Sequence, residues 1–111
     1  MTTADQIRKV CGELSDLLVS KGQGYGDKFR NEGRLSGQSP IDRIMGRMDD
    51  KVDRIAEMRA TGQIEACNES VIDTFKDLAG YCVLLLILME GIEPHEIEVT
   101  CANIKGMNST L

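Results

Sequence analysis

The segment Leu78–Met89 carries no charged side chain, and two aspartates, Asp73 and Asp77, stand just ahead of it. The two are one helical turn apart, so in a helix they point the same way. The apolar run is shorter than the roughly 18 residues that span a bilayer and is preceded by charges. It reads as a core helix. A helix apolar on nearly every face is expected to be buried on nearly every face. Two like charges at the mouth of such a helix are unfavourable unless a divalent metal or a basic side chain meets them. That requirement constrains the rest of the fold.

The remaining punctuation predicts further helices around this one. Thr3-Ala4-Asp5-Gln6 has the form of a capping box, and Ile7, Val10, Cys11, Leu14, Leu17 and Leu18 follow at helical spacing. This first helix is expected to run to about Ser20 and to stop at Gly22. Lys21–Gln38 holds five of the eleven glycines and has no sustained period, so it predicts a long loop. Ser39-Pro40 caps and opens a second helix with the buried stripe Ile41, Ile44, Met45, Met48, Val52 and Ile55, ending near Arg59 before Gly62. Asn68 caps the third helix, from Glu69 to about Glu90. Pro94 opens a fourth, with Ile97, Cys101 and Ile104 on one face. Strand signals are nearly absent. The expected fold is all-α, a four-helix bundle-like single domain over residues 1–111, with a long loop between the first and second helices.

Composition narrows the partners. The net charge is −5, which argues against bulk binding to nucleic acid or to anionic membrane surfaces. Cys11, Cys67, Cys82 and Cys101 have no metal-ligand spacing, and Cys11 and Cys82 fall on apolar faces, so reduced core thiols are expected. With no basic-then-apolar leader at the N-terminus, a cytoplasmic location is expected. His95, the single histidine, follows Pro94 in a first helical turn and has no catalytic partner in view.

The candidate chemistry lies in the acids and in the bases near them. Asp49 and Asp53 lie on one side of the second helix's stripe, and Asp50 points to solvent. Antiparallel packing of the second and third helices would bring Asp49 and Asp53 towards Asp73 and Asp77. Carboxylates converging from two helices form a hard-cation site, and Mg²⁺ suits carboxylate, water and phosphate together. The plain alternative is that these acids are surface decoration. Arg43, Arg47 and Arg54 follow one side of the second helix, and Lys51 lies across the stripe from Asp49. They are fit to pair with acids or to hold phosphate. The loop Lys21-Gly-Gln-Gly-Tyr25-Gly-Asp-Lys28-Phe29 offers backbone N–H groups, lysines and aromatic faces, although it is no Walker A. Asn103 and Lys105 add a polar pair near the end of the fourth helix.

Lys21…Tyr25-Gly26…Phe29, Ile44…Lys51-Val-x-Arg54-Ile55 and Asp73-Thr-x-x-Asp77-Leu-Ala-Gly-Tyr81 together resemble nucleotide modification associated domain 1, a small helical domain of phages and bacteria. Gly91-Ile-x-Pro94…Ala102-Asn103-x-Lys105 is similar to the tail of the MazG-like all-α NTP pyrophosphohydrolases. That resemblance implies an Mg²⁺-dependent cleavage of a nucleoside triphosphate between its α and β phosphates. Asp77 and Asp73 would be catalytic, and Asp49, Asp53, Asp73 and Asp77 would hold the metal. It further implies phosphate contacts from Lys21, Asn103 and Lys105, with Tyr25 on the base or sugar, and Lys51 and Arg54 join them as candidate nucleotide contacts from the second helix. A homo-oligomer, dimer or tetramer, is implied too, with Met45, Met48 and Met58 available for its interface. The sequence departs from the superfamily's EExxE pattern by having Asp49-Asp50-Lys51-Val52-Asp53. An ammonium inside that segment can replace the metal's charge. Three readings follow: an Mg²⁺-dependent pyrophosphohydrolase, a phage-type protein that binds and sequesters a nucleotide or cyclic nucleotide in the host cytoplasm, or a structural interaction module.

Overall fold

The computed structural model describes residues 1–25, 28–31 and 33–90, apart from the side chains of 22–25. They form three α-helices, α1 (Thr3–Tyr25), α2 (Pro40–Ala60) and α3 (Glu69–Met89). Short 3₁₀ turns at Lys28–Asn31 and Ile64–Ala66 join them, and there is no strand among the described residues. The all-α expectation holds. The proposed fourth helix, with His95, Cys101, Asn103 and Lys105, lies outside the described residues.

The ends of α2 and the start of α3 form where their residues predict. The Ser39 side chain accepts a hydrogen bond from the Asp42 N–H at 3.1 Å, and Pro40 follows at the first helical position. At the other end the Gly62 N–H donates to the Arg59 carbonyl and the Gln63 N–H to the Met58 carbonyl at 2.8 Å. This closure needs a left-handed residue, and Gly62 supplies it at φ +75°. Asn68 Oδ1 accepts from the Val71 N–H at 3.0 Å and opens α3.

The beginning of α1 differs by one residue from the expected capping box. The Thr2 hydroxyl accepts from the Asp5 N–H, and the Asp5 carboxylate accepts from the Thr2 N–H, both at 3.1 Å. Thr2 is therefore the cap, and Asp5 fills the place assigned to Gln6. Hydrogen bonding to the carboxylate from the Thr2 side chain and from the Thr2 N–H holds the Asp5 carboxyl below its ordinary range. At its far end α1 continues through Gly22 to Tyr25 instead of stopping near Ser20. Glycine weakens a helix by about 1 kcal/mol but does not forbid it. Here Leu18 and Lys21 tie that end of α1 to α3. The loop after it is correspondingly shorter than Lys21–Gln38, and Lys28–Asn31 within it is a helical turn packed against α2.

The core lies between α2 and α3, which run antiparallel, since Lys51 meets Asp77 and Arg54 meets Ser70. Ile44 (1% exposed), Met58, Val71, Thr74 and Leu85 are buried in it. The seam on α2 runs through Ile41, Ile44, Met48, Lys51, Ile55 and Met58, alternating steps of three and four residues as in coiled-coil packing. Val52, expected in the stripe, is 52% exposed, and Lys51 takes the seam position. The physical reason is the seam's 3.5-residue period together with the carboxylate waiting across it. Met58 is part of this core and not free for an interface.

Two apolar faces are open. Leu14, Leu17 and Leu18 of α1 are half-buried, but Ile7, Val10 and Cys11 are exposed. On α3, Ile72, Phe75, Val83 and Leu86 are exposed, and Cys82 with them. The expectation that α3 is buried on nearly every face is corrected, as is that of core thiols at Cys11 and Cys82. Among the described residues α2 covers one side of α3, and α1 meets α3 at Gly80 and at Asp77. A Cβ on Gly80 would lie 2.8 Å from Leu18 Cδ2, so the missing side chain lets α1 approach.

Candidate functional site

Three helices bring one charged side chain each to a common point. Asp77 projects from α3 at the edge of the uncharged run, 31% exposed. Its Oδ2 lies 3.1 Å from Nζ of Lys51 on α2, and its Oδ1 lies 3.4 Å from Nζ of Lys21 on α1. The Lys51 side chain is 27% exposed and its stem lies in the apolar seam, as amphipathic lysines allow. Basic side chains therefore meet the Asp77 charge, one on each oxygen.

Beside this cluster an open cleft of about 420 Å³ runs between α2 and α3. Lys51, Arg54, Glu69, Ser70, Asp73, Thr74 and Asp77 line it. An Arg54 guanidinium N–H donates to the Ser70 hydroxyl at 3.0 Å, which aims the cation along the cleft wall. The Thr74 hydroxyl turns back to the Ser70 carbonyl at 2.8 Å, so it is already satisfied within α3. With Lys21 included, three cationic and three anionic side chains meet here. The cations gather on the α2 side and towards α1, and the acids stand along α3 at four-residue spacing.

Of the residues singled out in the sequence, Lys21, Lys51, Arg54, Asp73 and Asp77 come together. Asp73 is exposed at the cleft and stands one turn nearer the solvated end of α3. Asp49 and Asp53 are exposed on α2 and do not line the cleft. The convergence expected of Asp49 and Asp53 with Asp73 and Asp77 is thus not formed. Lys51, on the side of the helix away from Asp49, occupies the place facing α3. Among the described residues no group of three or more His, Cys, Asp or Glu side chains is placed to hold a metal ion. Asp73 and, one turn further from Asp77, Glu69 are the uncommitted acids of the cleft, and with Asp77 already facing two ammonium groups this described donor set does not fit a resident Mg²⁺ centre. The Tyr25 side chain, Asn103 and Lys105 lie outside what is described. Ser70 was missed in the sequence, although it stands three and seven residues before Asp73 and Asp77 and so shares their helix face.

The sequence model of the family described as nucleotide modification associated domain 1 matches residues 21–89. The chain belongs to this family. The match begins at Lys21 and ends at Met89, so all three members of the charge cluster and the whole cleft fall inside the family domain, and most of α1 lies ahead of it. No curated protein and no solved structure matches the chain. No helix among the described residues is long and apolar enough to cross a membrane.

Proposed function

We propose that the protein binds a nucleotide through its phosphates in the cleft between α2 and α3, without hydrolysing it. The observation that carries this reading is the pairing of Asp77 with Lys51 and Lys21. An acid whose two oxygens already face ammonium groups is poorly placed to bind a cation, and the same ammonium groups are placed to receive phosphate oxygens. Arg54 and Ser70 continue the row of donors along the wall. The family's description, associated with nucleotide modification, agrees with a nucleotide ligand. The segment standing in place of EExxE points the same way, because Lys51 brings positive charge among its acids. We place this activity in the cytoplasm, and in the host cytoplasm if a phage encodes the chain. A homo-oligomer would cover the apolar face of α3 that carries Phe75 and Leu86.

The MazG-like alternative, Mg²⁺-dependent pyrophosphohydrolysis at Asp73 and Asp77, is separated by one experiment. Purified protein is titrated calorimetrically with a panel of nucleotides in a chelator and again in Mg²⁺, and the ligand is then recovered and analysed by chromatography. Binding in the chelator with intact ligand recovered is the expected result. Release of pyrophosphate in Mg²⁺, lost in Asp77→Ala, would establish the hydrolase instead. No heat with any nucleotide in either buffer would leave the interaction module.

A further inference from the structure

Lys51 and Lys21 face the single carboxylate of Asp77, and the same carboxylate borders the cleft that we read as the phosphate site. We propose that Asp77 acts as an internal stand-in for a ligand phosphate, an autoinhibitory acid that holds Lys51 and Lys21 until a ligand phosphate displaces it. The inference rests on the nucleotide-binding reading above. Its physical content is competition. A phosphate that engages Lys51 and Lys21 takes over donors that already serve Asp77, and it comes to lie beside a carboxylate of the same sign. One singly charged phosphodiester gains little by that exchange. A chain of phosphates gains more, because it can contact Lys51 while reaching Arg54, which is one turn along α2 and held towards the cleft by Ser70. Asp73 and Glu69, also on the cleft wall, repel any anionic ligand and do not compete directly for the lysines. Asp77 thereby lowers the affinity of the two lysines for every phosphate ligand, and the preference for di- and triphosphates rests on Arg54. Until a ligand arrives Asp77 also keeps two lysines from different helices aimed at one point, so the donors need little reordering on binding.

The test compares the wild-type chain with Asp77→Asn, which keeps the shape and removes the charge. Calorimetric titrations in a chelator use a nucleoside triphosphate and the corresponding monophosphate. Each Asp77–lysine contact is a partly screened pair. Removing the competitor is therefore expected to raise the affinity of both ligands about tenfold. Asp77→Ser serves the same comparison if the asparagine variant does not fold, with helicity by circular dichroism as the check. If the wild type binds the triphosphate and the variant binds neither ligand more tightly, the inference is overturned while the binding reading stands. If neither protein binds either ligand, both are overturned.

Discussion

At the scale of single residues, Lys51 is the informative side chain. It occupies a seam position that an apolar residue would fill with better packing, and its charge is matched by Asp77. Removing one partner of a fully buried ion pair is costly, but Asp77 is about a third exposed and keeps Lys21 as a partner. Lys51→Met is therefore expected to leave stability within about 1 kcal/mol of wild type, since Lys21 still faces Asp77. The same substitution should weaken nucleotide binding by roughly tenfold or more, a charge-assisted contact being lost. Thermal unfolding and calorimetry on one sample check both halves. A purely structural lysine would show the first effect without the second. Asp5 gives a different prediction. Its carboxyl is held below the ordinary range by hydrogen bonds from Thr2. A lowered folded-state pKa gives stabilisation that is present above the ordinary carboxylate pKa and is lost as pH falls through the lowered one. The first turn of α1 should accordingly fray in acid, and Asp5→Asn should remove that pH dependence. Amide exchange at residues 3–6 reports it.

At the scale of elements, the ends of the helices follow local chemistry and their lateral contacts do not. Ser39→Ala removes a formed cap and is expected to lower stability by about 1 kcal/mol. Gly62→Ala places a Cβ at φ +75° and should lower it by about 1–2 kcal/mol. Chemical denaturation measures both. These sites were legible because a cap or a left-handed turn is decided within a few residues. The reach of α1 was not. Gly22 and Gly24 look like a stop, yet the helix passes through them, because its end is fastened to α3 by Leu18 over Gly80 and by Lys21 at Asp77. Gly80→Leu should lift α1 from α3, and its amides beyond Leu14 should then exchange faster while those of α2 stay protected. The seam of α2 shows the same limit. Val52 and Lys51 both fit a helical stripe by spacing, and only the partner helix chooses between them.

At the scale of the whole molecule, the three described helices bury a modest core and leave apolar faces open. On α3, Ile72, Phe75, Cys82 and Leu86 follow a three-four spacing on the side away from α2. In an antiparallel pairing of two copies, Phe75 of each would lie opposite Leu86 of the other, with the small Ala79 and Cys82 at the centre. The proposed homo-oligomer is expected to use this face, with the Met58 side chain excluded because the protomer core holds it. Leu86→Glu, at a residue 65% exposed, should shift the sedimentation coefficient towards that of a single chain with helicity unchanged. An unchanged coefficient would remove α3 from the interface.

The sequence by itself determined that the three described helices form, the caps of α2 and α3, the Gly62 closure, the special standing of Asp77 and the family of the chain. All of these depend on residues near in sequence or on patterns carried along it. Tertiary structure alone decided what balances Asp77. Spacing placed acids and bases on helix faces, but Coulomb and hydrogen-bond energies depend on distances of a few ångströms between side chains far apart in sequence. Those distances came from the antiparallel seam and from the small residue at Gly80, which together set Lys51 and Lys21, and not Asp49 or Asp53, against the carboxylate.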